Sequence, residues 1–134
     1  SSARRRGCSI SNGAPSTPPV PAEFFKAEHG WLRYSRNPRA SHKTGNDGST
    51  VVWAGERELL RIDAPRIAGA TYPDDGRSLQ VYTNANPVAY VELETIAPLQ
   101  TLKTGDRMTA TNTYRLAHRT TAALDADVRA LLGR

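Results

Sequence analysis

Turn signals recur along this chain at intervals too short for long helices. Gly45-Asn46-Asp47-Gly48, Gly55-Glu56, Pro73-Asp74-Asp75-Gly76, Asn84-Ala85-Asn86-Pro87 and Lys103-Thr104-Gly105-Asp106 consist of residues that accept positive φ cheaply or preset a bend. Short runs with a two-residue period lie between them. Residues 51–54 and 58–62 flank Gly55-Glu56 as a hairpin. Residues 78–83 set Leu79 and Val81 against Gln80 and Tyr82. Residues 88–95 put Ala89, Val91 and Leu93 on one face and Tyr90, Glu92 and Glu94 on the other. Residues 107–116 alternate again, and an earlier strand is expected within 22–36, packed through Trp31, Leu32 and Tyr34. Only the C-terminus reads as helix, over 121–132: Leu124, Val128, Leu131 and Leu132 recur at helical spacing, Thr120 or Thr121 caps the start, Asp125 and Asp127 suit its positive end, and Gly133 stops it. Strands about ten residues apart predict an all-β protein, an antiparallel β-sandwich with one short C-terminal helix.

Composition sharpens this reading. Ten Gly, nine Pro and 38% hydrophobic residues in 134 argue against a helical bundle. No apolar run approaches the ~20 residues of a membrane helix, so no membrane partner is expected. The net charge of +5 is lopsided: residues 1–50 hold eight Lys/Arg and three Asp/Glu, whereas residues 51–134 hold ten of each. Positive charge gathered in one end rather than on the β-rich part argues against nucleic-acid binding. Residues 1–21, with Arg4-Arg5-Arg6 and Pro15, Pro18, Pro19 and Pro21, read as a disordered or strap-like basic tail, and 22–134 as the sandwich domain. The single Cys8 offers neither an internal disulfide nor a cysteine zinc site. No metal-ligand cluster, nucleophile elbow or phosphate-cradling glycine loop is present, so no metal or cofactor is expected. Nothing in the sequence indicates a compartment.

Residues 79–116 carry a resemblance. Val81-Tyr82-Thr83, Leu93-Glu94-Thr95 and Leu102-Lys103-Thr104-Gly105-Asp106 resemble the C-terminal strands of the galactose mutarotase-like (aldose 1-epimerase-like) superfamily. Gly45-Asn46-Asp47-Gly48, the segment Gly69-Ala70-Thr71-Tyr72-Pro73-Asp74-Asp75-Gly76, and Glu92-Leu93-Glu94-Thr95-Ile96-Ala97-Pro98 bring it closest to an uncharacterised bacterial branch. The likeness spans about residues 43–116. Such domains are longer than this chain, so the resemblance implies the C-terminal portion of a supersandwich. Association is then expected, with a second copy or with the missing N-terminal half of the domain, to cover an open sheet face.

The resemblance also implies site residues. In active members the glutamate of the "LET" strand removes the anomeric hydroxyl proton, and Glu94 occupies that position as the catalytic candidate. Glu92 and Tyr90 share its face and would contact a sugar. Trp53 is a further substrate-binding candidate, because an aromatic face suits the C–H face of a pyranose, although it also suits a core. Trp31 is open to the same two readings. Arg57, Arg61 and Arg66 suit either an anionic sugar or pairing with Glu56, Glu58 and Asp63. The ring-oxygen acid of the family is a histidine, and His29, His42 and His118 all lie outside its motif. This departure argues against stand-alone epimerase activity. Two functions follow: carbohydrate binding with a vestigial epimerase-type site, or a non-catalytic structural or interaction domain that assembles with another chain.

Overall fold

A computed structural model of the protein describes residues 8–12 and 20–133. Among these residues nine strands form two antiparallel sheets, followed by one helix near the C-terminus. The strands are β1 (Cys8–Ser11), β2 (Phe25–Glu28), β3 (Trp31–Ser35), β4 (His42–Asn46), β5 (Thr50–Ala54), β6 (Glu58–Asp63), β7 (Leu79–Thr83), β8 (Val91–Thr95) and β9 (Thr113–His118). Six form one sheet in the order β2-β3-β1-β5-β6-β9, and three form the other in the order β4-β7-β8. The helix, Leu124–Leu132, ends on Gly133, whose φ of 73° places it in the left-handed region favoured by glycine. The all-β, antiparallel reading with one short C-terminal helix holds.

Two cores result from the alternation along each strand. Between the sheets, Leu32, Tyr34, Val51 and Ile62 of the larger sheet meet Leu79 and Val81 of the smaller. On the other face of the larger sheet, Cys8, Ile10, Trp31, Val52, Ala54 and Leu59 receive Val128 and Leu131 of the helix. Neighbouring residues such as Val51 and Val52 therefore serve different cores, as period-two geometry requires. Burial pushes the thiol of Cys8 and the phenol of Tyr34 above their usual pKa ranges.

Several boundaries differ from expectation, each for a local reason. The basic tail expected over 1–21 gives way at β1, which lies in the interior of the larger sheet, paired with β3 and β5 and buried at all four residues. Its inward Cys8 and Ile10 supply apolar surface, and Asn46 Nδ2 donates to the Ser11 hydroxyl at 2.8 Å. The arginine triplet 4–6 and prolines 15, 18 and 19 lie outside the described residues. The strand expected within 22–36 is a hairpin, β2 and β3, joined through His29 and Gly30 with φ of 54° and 76°, the all-positive pattern of a tight two-residue turn. The β5–β6 turn sits one residue later than Gly55-Glu56, because the Gly55 N–H bonds the Glu58 carbonyl. The eighth strand starts at Val91 rather than residue 88, because the Asn84 N–H bonds the Tyr90 carbonyl and closes the turn. The ninth covers Thr113–His118 rather than 107–116: Thr113 pairs with Asp63, where β6 ends, and Pro65 lies two residues beyond. Residues 96–112 form an exposed connection without regular structure.

The helix start also differs. Ala123 occupies the cap position without a side-chain bond, and Thr120 and Thr121 are not caps. Asp127, one turn into the helix and buried, accepts instead from the backbone N–H groups of both threonines, from the Thr120 hydroxyl and from Arg119 Nε.

Candidate functional site

The smaller sheet has an apolar inner face and a polar outer one. Register sets the outer face in two cross-strand rows, Gly45–Gln80–Glu94 and Lys43–Tyr82–Glu92. Glu94 projects from β8, and its Oε2 lies 3.0 Å from Nζ of Lys43, reached diagonally across β7. The side chains are about one third and one half exposed, so the pair is solvated yet fixed in direction by the strands. Gln80 is buried, and its amide donates to Asp74 Oδ2 at 2.7 Å.

Asp74 reaches that position through an uncommon backbone. Over Pro73–Gly76 the chain makes one turn in which Asp74, Asp75 and Gly76 have φ of 51°, 61° and 89°. The left-handed conformation costs a non-glycine residue about 1–2 kcal/mol. Three bonds hold the turn: Arg77 N–H to the Pro73 carbonyl, Arg66 Nη1 to the Gly76 carbonyl, and Gln80 to Asp74. Arg66 also stacks over the Tyr72 ring at 4.3 Å and donates to the Ser78 hydroxyl. Gly45 is needed at the centre of the face. A side-chain carbon there would stand 2.6 Å from Arg77 Cδ and 2.9 Å from the Leu79 carbonyl oxygen.

Tyr90 lies just before β8, yet its ring reaches Tyr82, with 5.8 Å between centroids. It therefore shares the face of Glu92 and Glu94. Desolvation, then Tyr82 and Glu92, push its phenol above the usual range. The Tyr82 hydroxyl donates to Asn84 Oδ1. The structure thus brings Glu94, Glu92 and Tyr90 together, as the alternation in the sequence predicts.

Trp53 is not among them. It lies on β5 of the other sheet, beside Leu60 and Ser9 in register and on the same side as Val51, so it faces the space between the sheets. A whole layer separates it from Glu94, and it makes no part of this face. Trp31 packs beneath the helix, with Arg129 over its ring at 5.6 Å. Arg61 pairs with Asp63 at 2.8 Å and Arg57 approaches Glu58 at 4.0 Å, so those arginines follow the pairing reading. None of the three histidines is on the face. His42 points inward opposite Thr83 and contacts Asn37, His118 lies on β9, and His29 sits in the β2–β3 turn. Lys43, Gln80, Tyr82 and Asp74 are the members that sequence reasoning missed. The alternation Gln80/Tyr82 held the signal for two of them, whereas Lys43 and Asp74 join only through pairing and turn geometry.

The face is open rather than a cleft. Two small cavities, of about 10 and 70 Å³, lie elsewhere and are too small for a sugar ring. Among the described residues no group of three or more His, Cys, Asp or Glu is arranged to hold a metal, and no helix is long and apolar enough to cross a membrane. The chain is thus an all-β two-sheet protein with a polar face built on its smaller sheet. No family model, no curated protein and no solved structure matches it.

Proposed function

We propose that the outer face of the three-stranded sheet is a carbohydrate-binding surface of galactose mutarotase-like type, retaining the epimerase base position in Glu94. The observation that carries this reading is the grouping on one rigid face of an ion-paired carboxylate, Glu94–Lys43, with the tyrosine pair Tyr82 and Tyr90. A carboxylate and an ammonium bond sugar hydroxyls, and exposed aromatic rings cover C–H faces. Glu92 extends the acceptor edge of the same surface. With no histidine on the face, a base without its acid partner completes half of a proton transfer, and the role is binding rather than turnover.

A second reading, a non-catalytic domain that assembles with another chain, is favoured by a different observation. Tyr114 and Leu116 are 62% and 76% exposed on the outermost strand of the larger sheet. Thermal unfolding in neutral hexoses at high concentration tests the sugar reading. Ligand at ten times its Kd should add about 1.4 kcal/mol of stability. Glu94→Gln should abolish that rise while changing the ligand-free stability by less than about 1 kcal/mol, the range of a solvated ion pair. A melting temperature indifferent to every sugar, or a sugar response intact in Glu94→Gln, overturns the reading.

A further inference from the structure

Between the eighth and ninth strands the chain leaves the body of the protein. Every residue from 99 to 111 is exposed, and none lies in a strand or helix. Ties at the foot hold this segment as an arm. The Leu99 N–H bonds the Thr71 carbonyl at 2.7 Å, and Asn112 Nδ2 donates to Thr95 Oγ1 at 2.8 Å. The tip is a tight turn: the Asp106 N–H bonds the Lys103 carbonyl at 3.0 Å, and the Asp106 carboxylate accepts the Lys103 N–H at 2.9 Å. On the returning leg, residues 107–111 make no hydrogen bond among the described residues. An endoprotease needs backbone of this kind, because it takes its substrate as an extended strand through the substrate's own N–H and carbonyl groups.

We infer that Arg107–Met108 is a processing site for an endoprotease that cleaves after basic residues, and that the cut leaves a two-chain protein with its fold intact. Water adds across the peptide bond, leaving a carboxylate on Arg107 and an ammonium group on Met108. The arm offers two basic residues. The bond after Lys103 lies inside the closed turn, whereas the bond after Arg107 opens the unbonded leg. Outside the strands, the helix and the arm, the exposed basic residues among those described are Arg39 and Arg57. Both are tied down. The Arg39 N–H bonds Asn37 Oδ1 and its guanidinium pairs with Glu23. The carbonyls on either side of the bond after Arg57, those of Arg57 and Glu58, accept from the Arg119 and Gly55 N–H groups. The cut also removes nothing from the interior, since the arm puts no side chain into either core. The piece that follows it stays bound through the full β6–β9 register, through Val128 and Leu131 beneath the larger sheet, and through the Arg61 bond to the Leu131 carbonyl. This site is separate from the sugar face, so either reading can fail alone.

Dilute trypsin on the full chain, with intact-mass analysis of the early products under denaturing conditions, should place the first cut within residues 20–133 after Arg107. The undenatured product should elute from a sizing column with the uncut protein and keep its circular dichroism spectrum. Arg107→Gln should slow that cut at least about tenfold, because the specificity pocket of the protease pairs with a cation. Well below the melting transition of both proteins, Leu79→Ala should be cut at the parent's rate, because the arm is reached without unfolding. A first cut after Arg39 or Arg57, pieces that separate on the column, or cutting that accelerates in Leu79→Ala overturns the inference.

Discussion

Asn46 joins the two sheets through a side chain 1% exposed. Its amide donates to Ser11 of β1, and its Oδ1 accepts the Gly48 N–H, both at 2.8 Å. Gly48 is pressed so closely on this bond and on Asn12 that an added side-chain carbon would overlap the Asn12 carbonyl oxygen. The segment Gly45-Asn46-Asp47-Gly48 was legible as turn chemistry. Its role as an inter-sheet clasp was not, because Ser11 and Asn12 lie more than thirty residues away and lack any apolar period. Asn46→Ala leaves buried partners unsatisfied and should cost about 1–3 kcal/mol. Gly48→Ala should cost at least as much through overpacking. Chemical denaturation of each variant measures both. Asp127 makes a related clasp at the other end of the chain. Burial alone would raise its pKa, but the bonds from Arg119, Thr120 and Thr121 outweigh it and hold the carboxyl down at about 2, against an ordinary 3.8. A depressed carboxylate pKa stabilises fully above the unfolded value and loses its effect as pH falls through the folded one. The parent should therefore lose this contribution between about pH 4 and pH 2. Asp127→Asn should show a lower melting temperature at neutral pH and a flatter slope across that window.

At the scale of elements, periodic strands with turn residues at both ends were legible, and elements fixed only by their neighbours were not. The seventh and eighth strands alternate over enough residues to set their faces, so the shared face of Tyr90, Glu92 and Glu94 followed from sequence. The first strand, Cys-Ser-Ile-Ser, is too short for a period and is flanked by serine, glycine and proline. Its identity comes from partners on both sides. That position predicts a severe response to a substitution that a tail would ignore. Ile10→Pro removes a donor from an interior strand and a residue 3% exposed, and should abolish cooperative unfolding. In hydrogen exchange on the parent, the Ile10 amide should be protected as strongly as those of Val52 and Leu59. Rapid exchange at Ile10 would restore the tail reading. The helix start was misread for a similar reason: Thr120 and Thr121 are cap residues by type, but Asp127 draws both N–H groups back toward itself.

Across the whole molecule, the sandwich has unequal layers, and its stability depends on whether they unfold as one. The inter-sheet core and the Asn46–Ser11 bond couple them, while the helix covers only the far side of the larger sheet. Both tryptophans, Trp31 and Trp53, belong to the larger sheet, so their fluorescence reports that layer alone. Leu79, fully buried, belongs to the smaller one. Leu79→Ala should cost about 2–5 kcal/mol as a core truncation, lowering the melting temperature by roughly 6–20 °C for a domain of this size. If the layers are coupled, tryptophan fluorescence and far-ultraviolet circular dichroism should shift together by that amount, although no tryptophan lies on the sheet that was changed. A fluorescence transition that stays at the parent temperature while the circular dichroism splits in two would mean that the smaller sheet, and the polar face on it, melts independently. The coupled outcome follows from where Leu79 and Val81 insert. They meet Val51 and Ile62 of two adjacent strands in the larger sheet, so loosening one layer opens a cavity in the other.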